Sequence, residues 1–520
     1  MALKDMQTNI QHVVHLMLEN RGFDHVLGWL WNNTANKPKV NIPPLRPGEA
    51  PFYGLPQDSS GSPTLWFPAD PSFYQSGPYT GPQKVVNKGL WGYCLMPVAD
   101  PGEGWDDVTQ QIYGPNSQMN LPTDKLMRGF YLNYVNHKIG FGSNDDILAT
   151  GTPTDLPVIN GLAAAYAVSD TWFASAPTET NPNRAFSLGG SSEGRQNNCS
   201  FDGVPYADLR TIFGVLNDTN NSWKIYADHY WMEWQELYFT EYMFPQGVPQ
   251  DSSDPHFGTI SDFASDVMAG TLPVFSYLEP TFQGEAGTPN DYHPPGSVYD
   301  GETFLLRVYN ALTANPVVFG NTLLIVTFDE HGGTLDHVVP PSAVPPDQDP
   351  TFGRYGVRVP TILISPWVPP GCVFRAGYFP MDGHPEGNGG MPFDHTSVLA
   401  TLCKWLNIPY QKSSDIGWLR SRTASAPTFE NVITSTRNKN IATVGPAYNC
   451  SDTLVAASPY GLAPAQMQVL LMRLTGFHVG DPRLNALMAK VKSTCRSRED
   501  FNKLFQQLRR QYGSVRHSGA

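Results

Sequence analysis

The chain has 520 residues, a formal net charge of −13, 47 glycines and 47 prolines. Its length allows one large domain with additions, since domains commonly run to about 100–200 residues and α/β types exceed this. With 34 basic against 47 acidic residues, the composition excludes a general nucleic-acid binder and a polybasic attachment to anionic lipid, because both depend on clustered lysine and arginine.

No segment reaches the roughly 18 uninterrupted apolar residues of a membrane helix, and the first residues lack the apolar run of a signal peptide. We therefore expect a soluble protein without a transmembrane segment, either cytoplasmic or the mature form of a secreted one. The six cysteines are scattered without a Cys-x-x-Cys pair, which disfavours a thiolate zinc site. They could form three disulfides, which a chain of this size does not need.

The N-terminal third begins with an apolar run that predicts a strand at residues 12–18, followed by the polar segment 19–25. From about residue 32 to 106 the chain is rich in Pro, Gly, Tyr and Trp and has little periodicity, which predicts a long inserted loop region. Residues 155–168 predict a helix, which leads towards Thr178-Glu179-Thr180-Asn181-Pro182-Asn183-Arg184.

Aromatic residues are concentrated at 52–79 and 223–244, where they could line a substrate cleft or touch a lipid interface. For the second segment, packing within a cap or long loop is the simpler interpretation, because aromatics dominate cores as well as sites. The elements predicted further along the chain are a strand at 273–278, a helix at 301–314, strands at 322–327 and 360–365, and a helix at 396–406.

Alternation of strands and helices predicts an α/β fold: a mostly parallel central sheet with helices on both faces. We expect one catalytic domain over residues 1–425. Residues 426–520 are expected to form a linker and a small helical C-terminal extension, with amphipathic helices at 463–474, 482–492 and 498–512.

Acidic, amide and imidazole side chains follow three of the predicted strands, where open α/β sheets build their sites. In the third case Asp394 and His395 come after the strand at 360–365 and a Gly/Pro-rich loop. Asn20 follows the first strand, and Asp329 and Glu330 follow the strand at 322–327. Their oxygens suit a divalent cation, which could be calcium, magnesium, manganese, zinc or iron. Capping of backbone amides would explain any one of these motifs, but their agreement favours a shared site.

Thr180 is a candidate nucleophile, because the start of a helix after it could direct backbone N–H groups at an anion. Its hydroxyl needs a metal or a base for activation, and Arg184 could pair with phosphate oxygens. Thr178 is the rival nucleophile. His293, His337 and His395 could transfer protons, whereas His331 and His384 are read as structural and His137 is left open.

Five blocks of sequence resemble a known phosphoesterase family, which includes bacterial phospholipases C, plant non-specific phospholipases C and a bacterial acid phosphatase. The blocks occur in the family's order between about residues 9 and 408, with Gly22 where the family usually has Ser. They are Glu19–His25, Thr180–Arg184, Asp329–Gly333 with Asp336–Pro341, Gly356–Pro360, and Phe393–Ser397.

The resemblance implies an alkaline-phosphatase-like core and hydrolysis of a phosphate ester through a phospho-enzyme intermediate. Thr180 would be the nucleophile, and His293, His337 and His395 would assist proton transfer. The metal ligands would be Glu19, Asn20, Asp329 and Glu330, and the residues expected to bind the substrate phosphate are Arg184, Asn181, Asp336 and Asp394.

The preferred function is phospholipase C action on phosphatidylcholine-type lipids, with transient contact to a lipid interface. An acid phosphatase with the same site, acting on a small soluble phosphate ester, is the first alternative. The second is a metal-dependent binding protein without catalysis, which retention of Thr180, Asp329 and Glu330 disfavours. The oligomeric state is left open.

Overall fold

The structure is a computed structural model, and it describes residues 2–31, 37–91, 94–117, 121–139, 142–198, 206, 209–229, 238–245, 248–249, 251, 253–282, 289–346, 349–377, 391–409, 420–438, 440–446, 471, 482–495 and six positions between 500 and 511.

A central sheet of nine strands organises the described chain. The strands are β1 (His12–Leu18), β2 (Val40–Ile42), β3 (Trp66–Pro68), β4 (Gln83–Val85), β5 (Asn87–Lys88), β6 (Ala149–Thr150), β7 (Ala167–Ser169), β8 (Trp223–Ala227), β9 (Phe257–Thr259), β10 (Phe275–Glu279), β11 (Thr322–Phe328), β12 (Thr361–Ile364) and β13 (Cys372–Phe374). The central sheet has the order β2-β13-β7-β12-β11-β1-β10-β8-β9, while β3–β4 and β5–β6 form two small sheets.

The central sheet is parallel except at β12, which runs antiparallel to both β11 and β7. β1 lies between β10 and β11 and is parallel to both. Strands covered on both faces read as continuous apolar runs, and β11 is buried along its whole length. Because β10, β1 and β11 are parallel neighbours, their carboxyl ends meet at one edge of the sheet.

The helices are α1 (Ala2–Asn9), α2 (Phe23–Leu27), α3 (Trp105–Tyr113), α4 (Phe130–His137), α5 (Pro157–Ala165), α6 (Thr180–Gly189), α7 (Ile212–Asp218), α8 (Phe239–Met243), α9 (Ile260–Ala269), α10 (Val298–Thr313), α11 (Pro316–Phe319), α12 (Thr396–Trp405), α13 (Arg420–Ser425) and α14 (Pro482–Thr494). Two groups of helices pack beside the sheet. In the first group α5, α9 and α11 contact α10, and in the second α1, α6 and α13 contact α12 while α7 contacts α6.

The predicted fold class is confirmed, but the helix predicted at 155–168 is too long. It ends at Ala165, and Ala167–Ser169 form β7 instead. Tyr166 leaves the helical conformation with φ −122° and ψ −136°, and β7 is paired on both sides, by β12 and β13. A short apolar run does not distinguish a buried strand from a buried helix.

The inserted region at 32–106 contains more regular structure than its sequence indicates. β2 pairs with β13 and extends the central sheet, and β3 pairs with β4. Strands of three residues are too short to produce a recognisable alternation. In the second aromatic segment Trp223, Tyr226 and Phe239 are buried, which agrees with packing, and residues 230–237 lie outside the described residues.

Part of the predicted C-terminal extension packs on the core. Phe429 and Val432 belong to the main hydrophobic cluster, and the Tyr309 hydroxyl donates to the carbonyl of Ala442 at 2.8 Å. α14 corresponds to the helix predicted at 482–492, whereas those predicted at 463–474 and 498–512 lie outside the described residues except for scattered positions. The domain boundary at 425 stays a prediction.

Three of the cysteines are free and buried, namely Cys372, Cys403 and Cys495. An arrangement with three disulfides is therefore ruled out. Within the described ranges, every helix is too short or too polar to cross a membrane.

Leu16 tests how strongly the central strand holds the fold, because it is fully buried in the middle of β1. We expect Leu16→Ala to lower the free energy of unfolding by about 2–5 kcal/mol, the sum of lost burial and the cavity left behind. Urea unfolding measures this. The control is Met268→Ala on α9, whose side chain is 61% exposed and whose loss should change stability little. Equal effects of the two substitutions would contradict this account of the core.

Candidate active site

The site begins where β1 and β11 end side by side. The Asp329 N–H donates to the carbonyl of Leu18 at 3.1 Å, which continues the ladder one step beyond the strands. Asn20 then takes a left-handed backbone conformation with φ 54°, and its N–H donates to Oδ1 of Asp329 at 3.2 Å. The same oxygen accepts the Glu330 N–H at 2.7 Å. This turn brings all four predicted metal ligands to one edge of the sheet.

Thr180 reaches this edge as the first residue of α6. The turn before the helix is held by Asn183, whose side chain accepts from the N–H of Ala176 and donates to the carbonyls of Thr178 and Glu179. The Thr180 side chain is directed at Asn20, with 3.4 Å between Oγ1 and Oδ1. The predicted nucleophile therefore lies in direct contact with a predicted metal ligand.

The neighbours of Thr180 are engaged elsewhere. The Thr178 hydroxyl donates to the carbonyl of Gln196, so the rival nucleophile is tied to a loop. Asn181 bonds to Asn198 through both its backbone N–H, at 2.7 Å, and its side-chain amide, at 2.6 Å. Contact of Asn181 with a substrate phosphate stays a prediction.

Arg184, one turn further along α6, is buried beneath the carboxylates. Its guanidinium lies 3.0 Å from Glu19 Oε1 and 3.2 Å from Asp329 Oδ2, and it donates to the hydroxyl of Tyr277 and to the carbonyl of Met17. In this arrangement Arg184 neutralises and orients two predicted metal ligands. Its predicted pairing with phosphate would require it to share these donors.

His293 completes the site from the segment after β10. Its Nδ1 lies 2.6 Å from the carbonyl of Pro294, which can only accept, so we assign the proton to Nδ1. Nε2 then carries a lone pair and accepts from Nδ2 of Asn20 at 2.7 Å. His293 thus contacts Asn20, which also contacts Thr180, and its role in proton transfer stays a prediction.

Two acidic residues of the inserted region join the site although sequence reasoning missed them. Glu103 Oε2 accepts from Asn20 Nδ2 at 2.7 Å, and Asp100 Oδ1 lies 3.7 Å from His293 Nδ1. The only signal was a pair of acids in the Pro/Gly-rich segment Asp100-Pro101-Gly102-Glu103, inside a loop of a length that is usually functional.

The buried carboxylates repel one another strongly. Burial, followed by the charge of Asp329, raises the pKa of Glu19 well above its ordinary value, although Arg184 opposes this. Burial, followed by Glu103 and Asp329, does the same for the pKa of Glu330. Within the described part of the chain, Glu330 Oε1 is buried without a hydrogen-bond partner.

These features fit a divalent cation, since the donors are hard oxygens and a positive charge would relieve their repulsion. Among the described residues, two groups bring three ligand atoms within 4.8 Å of one another: Asp100, Glu103 and His293, and Asp24, Asp336 and His337. Glu19, Asp329 and Glu330 do not form a third such group in the described structure.

His337 and Asp336 lie in the second of these groups, together with Asp24 and Arg358. His337 Nδ1 is 2.6 Å from Asp24 Oδ2, and Arg358 donates to Asp24 and to Asp336, at 2.9 and 3.0 Å. Burial raises the pKa of Asp336 to about 6, against the opposing charge of Arg358. Because Arg358 already supplies a positive charge, this group resembles an ion-pair network more than a cation site.

The remaining predicted residues, His395 and Asp394, bond to backbone and hydroxyl groups next to the site. His395 Nε2 lies 2.5 Å from the carbonyl of Asp329, and burial lowers the pKa of His395. Asp394 accepts from the hydroxyls of Ser175 and Thr396. His331, read as structural, is buried with Nε2 2.7 Å from Gln111 Oε1, while His384 lies outside the described residues. Roles of His395, His337, Asp336 and Asp394 in catalysis stay predictions.

A hydroxyl, an imidazole and carboxylates lie together at the strand ends of this α/β sheet, and these are groups that hydrolytic enzymes use in catalysis. The model of the Phosphoesterase family matches residues 10–409, and the chain belongs to this family. It is a phosphoric ester hydrolase, as the resemblance predicts.

Sequence relatives agree with this assignment. Non-specific phospholipase C6 of Arabidopsis thaliana is 30% identical over 87% of this chain and 76% of its own length. Phospholipase C A of Mycobacterium tuberculosis is 28% identical over 77% of this chain and 74% of its own. Among solved structures, a protein in the alkaline phosphatase superfamily from Vibrio parahaemolyticus matches with a TM-score of 0.30 and 10% identity, over 54% of this chain and 65% of its own.

Proposed function

We propose that this protein is a phospholipase C that hydrolyses phosphatidylcholine-type lipids to diacylglycerol and the phosphorylated headgroup, through a covalent intermediate on Thr180. The observation that carries the proposal is the contact of the Thr180 hydroxyl with Asn20, within the group of carboxylates at the ends of β1 and β11. The names of the plant and mycobacterial relatives support the substrate class.

In the first step the Thr180 oxygen attacks phosphorus, and the bond from phosphorus to the diacylglycerol oxygen breaks. His293 is our choice for proton transfer, because its Nε2 bears a lone pair and contacts the same Asn20 amide as Thr180. For this transfer Nε2 must exchange its contact with Asn20 for the reacting groups; it then accepts the threonine proton and delivers it to the departing oxygen. Water then attacks phosphorus, releases the phosphorylated headgroup and returns a proton to Thr180.

Glu19, Asn20, Asp329 and Glu330 are the residues that would hold a divalent cation. Bound there, it would lower the pKa of the threonine hydroxyl and neutralise charge on the phosphoryl oxygens. Arg184 holds two of these carboxylates, Glu19 and Asp329, in place through its ion pairs. The four side chains are buried, which excludes water from them and would strengthen the attraction of a bound cation for both the carboxylates and the reacting phosphate.

The test is release of soluble phosphocholine from phosphatidylcholine vesicles, with p-nitrophenyl phosphate and p-nitrophenyl phosphocholine as soluble comparisons. We expect hydrolysis of the vesicles and of the phosphocholine ester. Brisk hydrolysis of the phosphate monoester alone would replace the proposal by a phosphatase. Acid quenching during turnover, followed by mass spectrometry of the peptide that contains Thr180, should detect the covalent intermediate.

Removal of the metal by a chelator is expected to abolish hydrolysis and to lower the melting temperature. The reason is that Glu19 and Glu330 lose the positive charge that offsets their repulsion. Differential scanning fluorimetry and the vesicle assay, each repeated after adding back single divalent cations, measure both effects and identify the metal. Unchanged activity after exhaustive chelation would rule out the metal-assisted mechanism.

A further inference from the structure

The carboxylate of Glu103 enters the Thr180 site from outside the sequence blocks of the family resemblance. It lies in the loop before α3, with 12% of its side chain exposed. Oε2 is 2.7 Å from Asn20 Nδ2 and 3.6 Å from His293 Nε2. Glu103 is neither the proposed nucleophile nor the residue proposed to transfer protons.

The contact with Glu103 determines which way the Asn20 amide faces. An ionised carboxylate only accepts hydrogen bonds, so the amide nitrogen must point at Glu103. Its two hydrogens go to Glu103 and to the lone pair of His293 Nε2. The amide oxygen is thereby left on the opposite side, 3.4 Å from the hydroxyl of Thr180.

The loop that carries Glu103 is held firmly enough for such a role. The Gly102 carbonyl accepts from Nε2 of Gln111 at 2.7 Å, and Gln111 is in turn bonded to His331. Gly333 packs so closely that a Cβ there would lie 2.4 Å from the Gly102 oxygen, and its φ of +65° favours glycine. The loop is therefore fixed against the turn that follows Asp329 and Glu330.

We propose that Glu103 is a positioning residue: it holds the Asn20 amide so that its oxygen faces the Thr180 hydroxyl and would be available to a bound cation. This inference rests on the proposed role of Thr180. The amide torsion of asparagine is soft, so without an acceptor at position 103 the nitrogen and oxygen of Asn20 can exchange places.

The test compares Glu103→Met with Glu103→Gln, which match glutamate in length but differ in the presence of an acceptor oxygen. We expect Glu103→Met to lower kcat about 10–100-fold at unchanged KM, the usual effect of losing a partner that orients a metal ligand. Glu103→Gln should recover most of this loss. Affinity for Mn²⁺, measured by calorimetry without substrate, should fall with Met and recover with Gln.

Asp106→Ala, which removes an exposed carboxylate three residues away, is the control and should leave kcat and Mn²⁺ affinity unchanged. Wild-type turnover in Glu103→Met, or an equal loss in Glu103→Gln, would overturn the positioning role. Full activity in Thr180→Ala would instead overturn the proposed function. The two failures are therefore separable, and the thermal melting of each variant shows whether it is folded.

Discussion

Thr180→Ala is expected to lower kcat for phosphocholine release by at least about a thousandfold, the scale on which enzymes lose turnover when a covalent nucleophile is removed. The substitution removes the only atom proposed to bond to phosphorus. It leaves the turn intact, because Asn183 holds this turn from the other side. The vesicle assay measures kcat, and circular dichroism with a thermal melt confirms the fold.

Thr178→Ala is the matched control, since the two threonines are two residues apart and both are buried. Its hydroxyl is bonded to the Gln196 carbonyl, so we expect a small loss of stability and little change in kcat. Thr180→Ser should retain part of the activity because it keeps a hydroxyl at the same carbon. A larger loss in Thr178→Ala than in Thr180→Ala would transfer the role of nucleophile to Thr178.

The central strands and the ligands that follow them are predictable from sequence. β1 has the predicted limits, because its buried residues form a nearly continuous apolar run that is interrupted only by His15. Parallel neighbours place their carboxyl ends together, so Asn20 and Asp329 had to be close once β1 and β11 were paired. The antiparallel direction of β12 leaves no trace in its own composition.

The parts of the site that escaped prediction depend on long-range contacts. Glu103 and Asn20 are 83 positions apart, and Arg358 and Asp24 are 334 apart. Neither pairing produces a local pattern, since only the folded sheet and the inserted loop bring the partners together. The partner of Arg184 is hard to predict for a different reason: a guanidinium group binds phosphate and carboxylate equally well. Only the structure shows that two carboxylates lie against it.

Arg184→Met is expected to cost about 3–5 kcal/mol of stability, because it leaves buried carboxylates without their positive partner. Glu19 and Asp329 both lose their ion pair, and two backbone carbonyls of β1 lose donors. The variant should also be inactive, since these carboxylates are predicted metal ligands. Chemical denaturation measures the first effect and the vesicle assay the second.

The pH dependence of stability in Arg184→Met distinguishes the loss of the positive charge from the loss of side-chain packing. Glu19 has a pKa raised above its ordinary 4.5, chiefly by burial, and Arg184 opposes that rise. Without Arg184 the folded-state pKa rises further, so the native state binds a proton that the unfolded state releases. The deficit in stability relative to the wild type should therefore be smallest in acid and grow as the pH rises above the folded-state pKa of Glu19 in the wild type, which already lies well above the ordinary value.

Arg307→Met is the control for this substitution, because Arg307 is half exposed and pairs with Asp228 near the surface. A surface pair contributes about 0–1 kcal/mol, so this variant should stay close to wild type at every pH. A deficit in Arg184→Met that is equally small, or that does not change with pH, would mean that the carboxylates are compensated without Arg184. In that case a bound cation alone would neutralise the negative charge of these carboxylates.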